Sequence, residues 1–269
     1  MNLAQELRVA ILLAVKAGAR LRGHQDAQPA PSYKAGGELV TTADLESDKI
    51  IRTGLAAAFP MDAIYSEETA DSPERLSNDR VWIIDPLDST SNFVAQGDEY
   101  AVSIGLAVQG KALLGVVHNP RRKVLFAGFW GTGVTFNGAP VQTTKVSEIA
   151  RARISISRNE LQRGHFADVQ LPRTRPLSSM AYKLGRVAAG MDDAVISIKS
   201  RKEWGTCAGV ALVLAAGGRA SLLDGSEILF NRRELKQPSG MIAGGAKLHK
   251  ILLKRFGTNT AIRQEPAVL

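Results

Sequence analysis

The sequence predicts a mixed α/β fold, and three observations support this class. Strand-like apolar runs follow one another through the first half of the chain, as in a meander. Two of these runs, 101–108 and 113–117, are separated only by a short turn with a central glycine, which is typical of an antiparallel hairpin. Helical patterns precede these runs and return in the second half. This mixture favours a layered sandwich of helices and sheets over a strictly alternating parallel sheet.

In the first half, two predicted helices precede most of the strands. Apolar residues recur at helical spacing from Leu3 to Gly18, which predicts a helix over 1–23. A second helix is predicted over 44–58, and it ends at Phe59-Pro60 because proline disfavours continuation of a helix. Apolar runs then predict strands over 62–66, 81–85, 101–109, 112–118 and 124–128.

In the second half, strands and helices alternate after a boundary near residue 150. We predict a strand over 154–156, a helix over 180–190, a strand over 194–198 and a helix over 206–216. The tail beyond Phe256 is predicted to be irregular. We therefore divide the chain into an N-terminal α+β subdomain, 1–150, and a C-terminal α/β subdomain, 151–269.

Composition excludes several classes of protein. The only cysteine, Cys207, cannot form an intramolecular disulfide, and the four histidines lack zinc-ligand spacing. The net charge of +8 is spread over short basic groups that do not interleave with aromatic residues, so we expect no nucleic-acid polymer as partner. No apolar run approaches the ~20 residues of a membrane span, and the N-terminus lacks a basic leader. We expect a cytoplasmic protein without a membrane partner.

The segment from Asp85 to Thr90 carries the most chemical information. It follows the apolar run 81–84 and presents two carboxylates, Asp85 and Asp88, around a proline at the predicted end of a strand. Such carboxylates can ligate a hard cation such as Mg²⁺, and the following Ser89-Thr90 can begin a helix that faces a phosphate. An ordinary strand-to-turn corner would explain the same residues.

Further acidic residues end two other apolar segments. Asp44 follows 39–43, and Glu67 follows 63–66. If these segments are neighbours in one sheet, their ends meet and supply four oxygen ligands, enough for two hard cations. Each residue alone would be explained as a solvated surface charge. Their coincidence at segment ends favours a metal site in the N-terminal subdomain.

These segments resemble the inositol monophosphatase superfamily of Mg²⁺-dependent phosphatases, in wording nearest to the 3′(2′),5′-bisphosphate nucleotidases. The resemblance covers nearly the whole chain. It is carried by the segments 39–44, 66–68, 82–93, 131–138, 157–158, 182–184, 202–209 and 216–218. It implies a layered αβαβα sandwich of the sugar-phosphatase type with mixed sheets, and an active site between the two halves. A homodimer is a common assembly in the family.

The resemblance also implies roles for individual residues. Glu67, Asp85, Asp88 and the carbonyl of Leu87 would bind Mg²⁺, two or three ions per site in the family. Catalysis would depend on Asp44 paired with Thr90, together with Glu67. The substrate would be contacted by Ser89, Thr90, Ser179, Lys183, Lys202 and Glu203. Lys183, Arg201 and Lys202, with Arg158 as a weaker candidate, would meet an additional phosphate on the substrate.

Two departures from the family pattern bear on activity. Gly205 follows Trp204 where the family has an aspartate that ligates the second metal, and Ser89 stands where the first signature has glycine. Loss of even an outer-shell partner of a metal lowers affinity or activity by roughly 10–100-fold, so we expect a weakened second site.

Three functions remain open from the sequence. The first is Mg²⁺-dependent hydrolysis of a small anionic phosphate ester by a 3′(2′),5′-bisphosphate nucleotidase, which converts 3′-phosphoadenosine 5′-phosphate to AMP and phosphate. The second is an inositol-1-monophosphatase or sugar phosphatase. The third is a catalytically impaired relative that acts as a binding protein because Gly205 lacks a carboxylate. The joint presence of the other acidic residues favours the enzymes.

Overall fold

The computed structural model describes residues 1–27, 32–33, 37, 39–166, 171 and 173–257. Its helices are α1 (Ala4–Asp26), α2 (Thr42–Ala58), α3 (Thr90–Val94), α4 (Arg158–Gln162), α5 (Met180–Ala188), α6 (Cys207–Ala215) and α7 (Ala246–Phe256). Its strands are β1 (Ser32–Tyr33), β2 (Leu39–Val40), β3 (Ala63–Ser66), β4 (Arg80–Asp88), β5 (Ala101–Val108), β6 (Lys111–Asn119), β7 (Val124–Phe129), β8 (Gly133–Phe136), β9 (Ala139–Val141), β10 (Ile154–Ser157), β11 (Thr174–Leu177), β12 (Ala194–Ser197), β13 (Gly218–Leu222) and β14 (Met241–Gly245). Short 3₁₀ turns lie at Pro73–Ser77 and Ile149–Arg151.

A seven-stranded sheet is built from the first half of the chain in the order β3-β4-β5-β6-β7-β8-β9. Only β3 and β4 run parallel, and every later neighbour is antiparallel. The predicted hairpin is present as β5 and β6, whose register runs from Val102 opposite His118 to Val108 opposite Lys111. The parallel pair brings the carboxyl ends of β3 and β4 to the same edge of the sheet.

A five-stranded sheet follows in the order β11-β10-β12-β14-β13. The first three of these strands are parallel to one another, and β14 pairs antiparallel with both β12 and β13. Both sheets are therefore mixed. The boundary at residue 150 stays a prediction, although the seven-stranded sheet uses only earlier residues and the five-stranded sheet only later ones.

Three hydrophobic cores establish the layers. Alternate residues of β4 point to opposite faces, as a pleated strand requires. Trp82 and Ile84 pack with α1 and α2, whereas Val81 and Ile83 pack with α5 and α6. A third core joins the far face of the five-stranded sheet to α7. The order helix, sheet, helix, sheet, helix confirms the predicted αβαβα sandwich.

The predicted long elements are all present, with ends shifted by a few residues. The sequence patterns indicated the start of α3 at Ser89-Thr90 and an extended segment at β2, but not five other short strands (β1, β8, β9, β11 and β13), the apolar strand β14, or the helices α4 and α7. Strands of two to five residues carry too few positions for alternation to stand out. The tail from residue 258 lies outside the described residues. Within the described ranges, no helix has the length and apolarity needed to cross a bilayer.

Candidate active site

Two parallel strand ends place the first pair of carboxylates side by side. Ser66 at the end of β3 lies opposite Ile84 in β4, and the Glu67 amide donates a 3.3 Å hydrogen bond to the Ile84 carbonyl. Asp85 is the next residue of β4, and it is 3% exposed. The sheet register between Asp85 and Asp88 is irregular around Pro86, and proline within a sheet is tolerated at such a bulge.

The electrostatics of Asp85 show an excess of negative charge. Burial is the main cause that raises the pKa of Asp85 well above its usual value, and repulsion by Glu67 and Asp88 raises it further. A single backbone donor, the Leu87 amide at 3.2 Å from Oδ1, acts in the opposite direction. Glu67 and Asp85 also share a hydrogen bond, which requires a proton on one of them. A cation at this position would replace that proton.

Asp44 is held at the start of α2 by a local capping motif. Thr41 is the N-cap residue, and its amide and hydroxyl donate hydrogen bonds of 2.8 and 2.6 Å to Asp44 Oδ2. The other oxygen, Oδ1, accepts a 2.9 Å hydrogen bond from the Thr90 hydroxyl. Burial raises the pKa of Asp44 although these bonds favour its charged form. The Asp44–Thr90 pair expected from the resemblance is therefore formed across 46 residues of sequence.

Ser89 has the backbone conformation that normally requires glycine. Its φ of 81° and ψ of 56° lie in the left-handed region, and it is the N-cap of the five-residue helix α3. Its side chain makes no capping hydrogen bond to that helix. A serine in this region carries a strain of roughly 1–2 kcal/mol, so the structure keeps the glycine-like turn at a cost in stability.

Asp88 points toward the first turn of α5. Its Oδ2 accepts hydrogen bonds of 2.6 Å from the Ser179 hydroxyl and of 2.6 Å from the Ala181 amide. Ser179 is also the N-cap of α5 and accepts from the Tyr182 amide at 3.0 Å. Burial raises the pKa of Asp88, while these donors and the nearby charges of Lys183 and Arg201 oppose the shift. The predicted substrate contact Ser179 thus binds a carboxylate of the protein.

The basic residues expected to meet an additional phosphate are already engaged. Lys183 is buried, and its ammonium donates a 3.1 Å hydrogen bond to the Leu177 carbonyl. Burial, together with the charge of Arg201, lowers the pKa of Lys183 to about 7. Arg201 forms an ion pair with Glu160. Arg158 forms an ion pair with Glu99 at 2.9 Å, so neither guanidinium presents an uncompensated charge.

Lys202 and Glu203 both turn to partners outside the carboxylate cluster. The Lys202 ammonium lies 4.8 Å from the centre of the Trp204 ring. The two oxygens of Glu203 accept hydrogen bonds of 3.0 and 2.7 Å from the amides of Arg232 and Asn231. Burial raises the pKa of Glu203 to about 7 despite these donors. In this conformation Glu203 positions the 231–232 loop.

Gly205 lies beside the cluster and leaves room for a side chain. A Cβ atom built on Gly205 meets only Asp85 Oδ2, at 3.7 Å, which is ordinary van der Waals contact. A side chain at this position would start beside the carboxylate of Asp85. The absence of such a side chain lowers the number of oxygen ligands available there.

The residues present fit one hard divalent cation better than two. Glu67 and Asp85 supply adjacent carboxylates, of which Asp85 is buried and Glu67 is partly exposed, and the Leu87 carbonyl adds an oxygen of the kind such cations prefer. Across the described ranges, however, no three acidic, histidine or cysteine side chains are arranged to hold a metal ion together. One reason is that Asp88 is bound to α5, and another is that residue 205 has no side chain.

Sequence reasoning missed three positioning residues. Thr41 was not selected, although the spacing from Thr41 to Asp44 matches a capping box. Glu99 holds the turn before α5, because it accepts hydrogen bonds from the Ser178 amide at 3.0 Å and from its hydroxyl at 3.1 Å. Ser47 donates a 2.8 Å hydrogen bond to the Pro86 carbonyl and fixes the turn between the aspartates. Glu99 and Ser47 have no local sequence signal.

Three comparisons with known proteins each match most of the chain. The model of the inositol monophosphatase family matches residues 2–261. Inositol monophosphatase 2 of Solanum lycopersicum is 30% identical over 240 residues, which cover 84% of this chain and 91% of that protein. A histidinol-phosphatase of Chlorobaculum parvum is 29% identical over 244 residues, covering 83% and 91%. The crystal structure of extragenic suppressor protein suhB from Bartonella henselae superimposes with a TM-score of 0.82 at 26% identity, covering 95% and 99%.

Proposed function

The chain belongs to the inositol monophosphatase family of phosphomonoester hydrolases, and from this premise we propose that it hydrolyses a small monophosphate ester of a polar alcohol with the help of Mg²⁺. The family is metal-dependent and acts on small phosphorylated substrates. The observation that carries the proposal is the group of carboxylates at the ends of β3 and β4 around the buried Asp85, with the Asp44–Thr90 pair beside it.

The roles of the residues follow from their contacts. Glu67, Asp85 and the Leu87 carbonyl would hold the cation, which when bound neutralises phosphate charge and lowers the pKa of a water molecule. The Thr90 hydroxyl donates a hydrogen bond to Asp44, so the lone pairs of its oxygen remain to accept a hydrogen bond from the attacking water. Because burial raises the pKa of Asp44, this carboxylate accepts a proton more readily than an exposed aspartate.

The charge pattern favours a substrate with a single phosphate. A 3′,5′-bisphosphate needs a second basic subsite, but Arg158 and Arg201 are each neutralised by a glutamate. Lys183 is buried, and its lowered pKa reduces its charge at neutral pH. The relatives named inositol monophosphatase and histidinol-phosphatase support a polar alcohol as the esterified group. The bisphosphate nucleotidase remains the alternative that the experiment must separate.

The test is release of inorganic phosphate from three substrates with Mg²⁺ or Mn²⁺. Inositol 1-phosphate and histidinol phosphate represent polar alcohol monophosphates, and 3′-phosphoadenosine 5′-phosphate represents the alternative. We expect kcat/KM to be higher for one of the monophosphates, and Asp44→Asn to abolish that activity. Preference for the bisphosphate would overturn the assignment of a single phosphate. A wild type that is silent on all three while Gly205→Asp is active would favour the binding-protein interpretation.

A further inference from the structure

A cavity lies apart from the carboxylate cluster and shares no residue with it. Its volume is about 590 Å³, and it is lined by parts of β6, α6, β13 and α7. Small-molecule sites commonly have volumes of roughly 300–1,000 Å³ and apolar walls with a few polar groups. The cavity therefore has the size of a site for a small organic molecule.

The walls of this cavity are apolar and include an exposed aromatic ring. Leu113 comes from β6, Val210 and Leu214 come from α6, and Ile228 comes from the loop after β13. Trp130, directly after β7, also lines the cavity and is 62% exposed. An indole face that is left open beside an apolar cleft offers a surface on which a flat ring can stack.

The polar groups of the cavity leave one net positive charge. Lys111 and Glu227 form an exposed ion pair at 3.7 Å and offset each other. Arg219 is exposed on β13, and among the described residues no carboxylate forms an ion pair or hydrogen bond with it. A guanidinium in this state can bind a carboxylate, sulfonate or phosphate through two parallel hydrogen bonds.

The base of the cavity adds a polar but uncharged group. Burial, assisted by the charge of Arg219, lowers the pKa of His249, so its imidazole is neutral at neutral pH. His249 Nε2 lies 3.0 Å from the Ser221 hydroxyl oxygen, and that hydroxyl lies 2.9 Å from the Leu222 carbonyl, to which it can donate. Arg219 thus carries the net charge of the cavity lining.

From these observations we infer that the cavity binds a small, flat apolar molecule that carries one anionic group. The ring lies against Trp130 and the apolar walls, and the anionic group pairs with Arg219. Arg219 repels cations. A purely polar anion would lose hydration against the apolar walls without gaining a hydrogen bond there. This site is independent of phosphate ester hydrolysis, because none of its lining residues belongs to the candidate active site.

The test uses 8-anilinonaphthalene-1-sulfonate, a fused-ring anion whose fluorescence rises in apolar surroundings. Titrations are made on the folded full chain without divalent cation or phosphate ester, so their outcome does not depend on catalysis. We expect one saturable site and an affinity at least about tenfold lower in Arg219→Glu. Ala220→Phe, which fills the cavity from β13, should abolish binding.

The matched control is Arg233→Glu, an exposed arginine outside the cavity with the same change in charge. Its affinity for the probe should equal that of the wild type. Equal weakening in both arginine variants would show attraction to overall charge and would overturn the inference. Unchanged binding in Ala220→Phe would do the same, because the probe would then bind elsewhere. Thermal unfolding of every variant confirms that each remains folded.

Discussion

Gly205→Asp is the most informative single change, because the structure places the Cβ atom of residue 205 beside Asp85. The Cβ atom at this position meets only Asp85 Oδ2, at 3.7 Å, and the backbone φ of Gly205 lies outside the left-handed region. The side chain therefore fits without strain. It adds a negative charge next to Asp85, whose pKa burial and neighbouring carboxylates already raise.

The new carboxylate has two opposing effects on the free energy of unfolding: repulsion of Asp85 lowers it, and tighter binding of Mg²⁺ raises it. Two unit charges about 4 Å apart repel by up to about 4 kcal/mol at an effective dielectric constant of 20. Uptake of a proton by Asp85 reduces this cost, so without metal we expect a loss of about 1–3 kcal/mol in the free energy of unfolding. With Mg²⁺, the added ligand should tighten binding by roughly 10–100-fold. In MgCl₂ that saturates both proteins, this gain in affinity stabilises the variant relative to wild type by about 1.4–2.7 kcal/mol, which offsets the loss seen without metal.

The assay is urea unfolding of wild type and variant in EDTA and in excess MgCl₂, with calorimetric titration of Mg²⁺ and phosphate release measured alongside. Gly205→Asn is the matched control, because it has nearly the same shape without the charge. We expect only the aspartate variant to be less stable than wild type in EDTA and to recover about 1.4–2.7 kcal/mol of that difference in excess Mg²⁺. If the aspartate and asparagine variants behave alike, position 205 does not face the cation, and the reasoning fails.

Three further predictions concern other residues of the site. Ser89→Gly should raise the free energy of unfolding by about 1 kcal/mol, because glycine relieves the left-handed strain. Gln109→Gly, at another left-handed position remote from the site, should give the same gain in stability. Only Ser89→Gly should also change kcat. Thr90→Val should lower kcat by about 100-fold, because it removes the hydroxyl that connects Asp44 to the attacking water. Thr90→Ser keeps the hydroxyl and should retain activity within about tenfold. Equal losses in both variants would refute the role of the hydroxyl. Lys183 has its pKa lowered from 10.5 to about 7, so the unfolded chain binds more protons between these values, and wild-type stability should rise with pH across that window. In Lys183→Met the rise, about 1.4 kcal/mol per pH unit at most, should disappear from urea unfolding curves; a rise that persists would assign it to another group.

The sequence predicted those parts of the fold that depend on local patterns. The hairpin of β5 and β6 and the first two helices appear where periodicity indicated them. The ends that carry Glu67 and Asp85 meet as predicted, because β3 and β4 are parallel neighbours that end at the same edge. The expectation that the segment before Asp44 lies in the same sheet was wrong, because β2 pairs with β1 in a separate two-stranded sheet and Asp44 lies in the first turn of α2. The helix α7 was missed although Leu248, Leu252 and Phe256 recur at helical spacing, and its N-cap Gly245 offers no side-chain capping bond that would mark its start.

The orientation of each carboxylate could not be predicted, because it depends on partners far away in sequence. Asp88 is bound by the Ser179 hydroxyl and the Ala181 amide, 91 and 93 residues later. Glu203 is bound by amides 28 and 29 residues later. From the sequence alone, Asp88 and Glu203 could not be distinguished from Asp85, because all three are acidic residues within the segments that resemble the family. Backbone and hydroxyl donors satisfy the first two carboxylates, whereas Asp85 faces other carboxylates and gains only one backbone donor. The negative charge that the protein leaves uncompensated therefore lies at the ends of β3 and β4. We expect Mg²⁺ to raise the free energy of unfolding of the wild type but not that of Asp85→Asn.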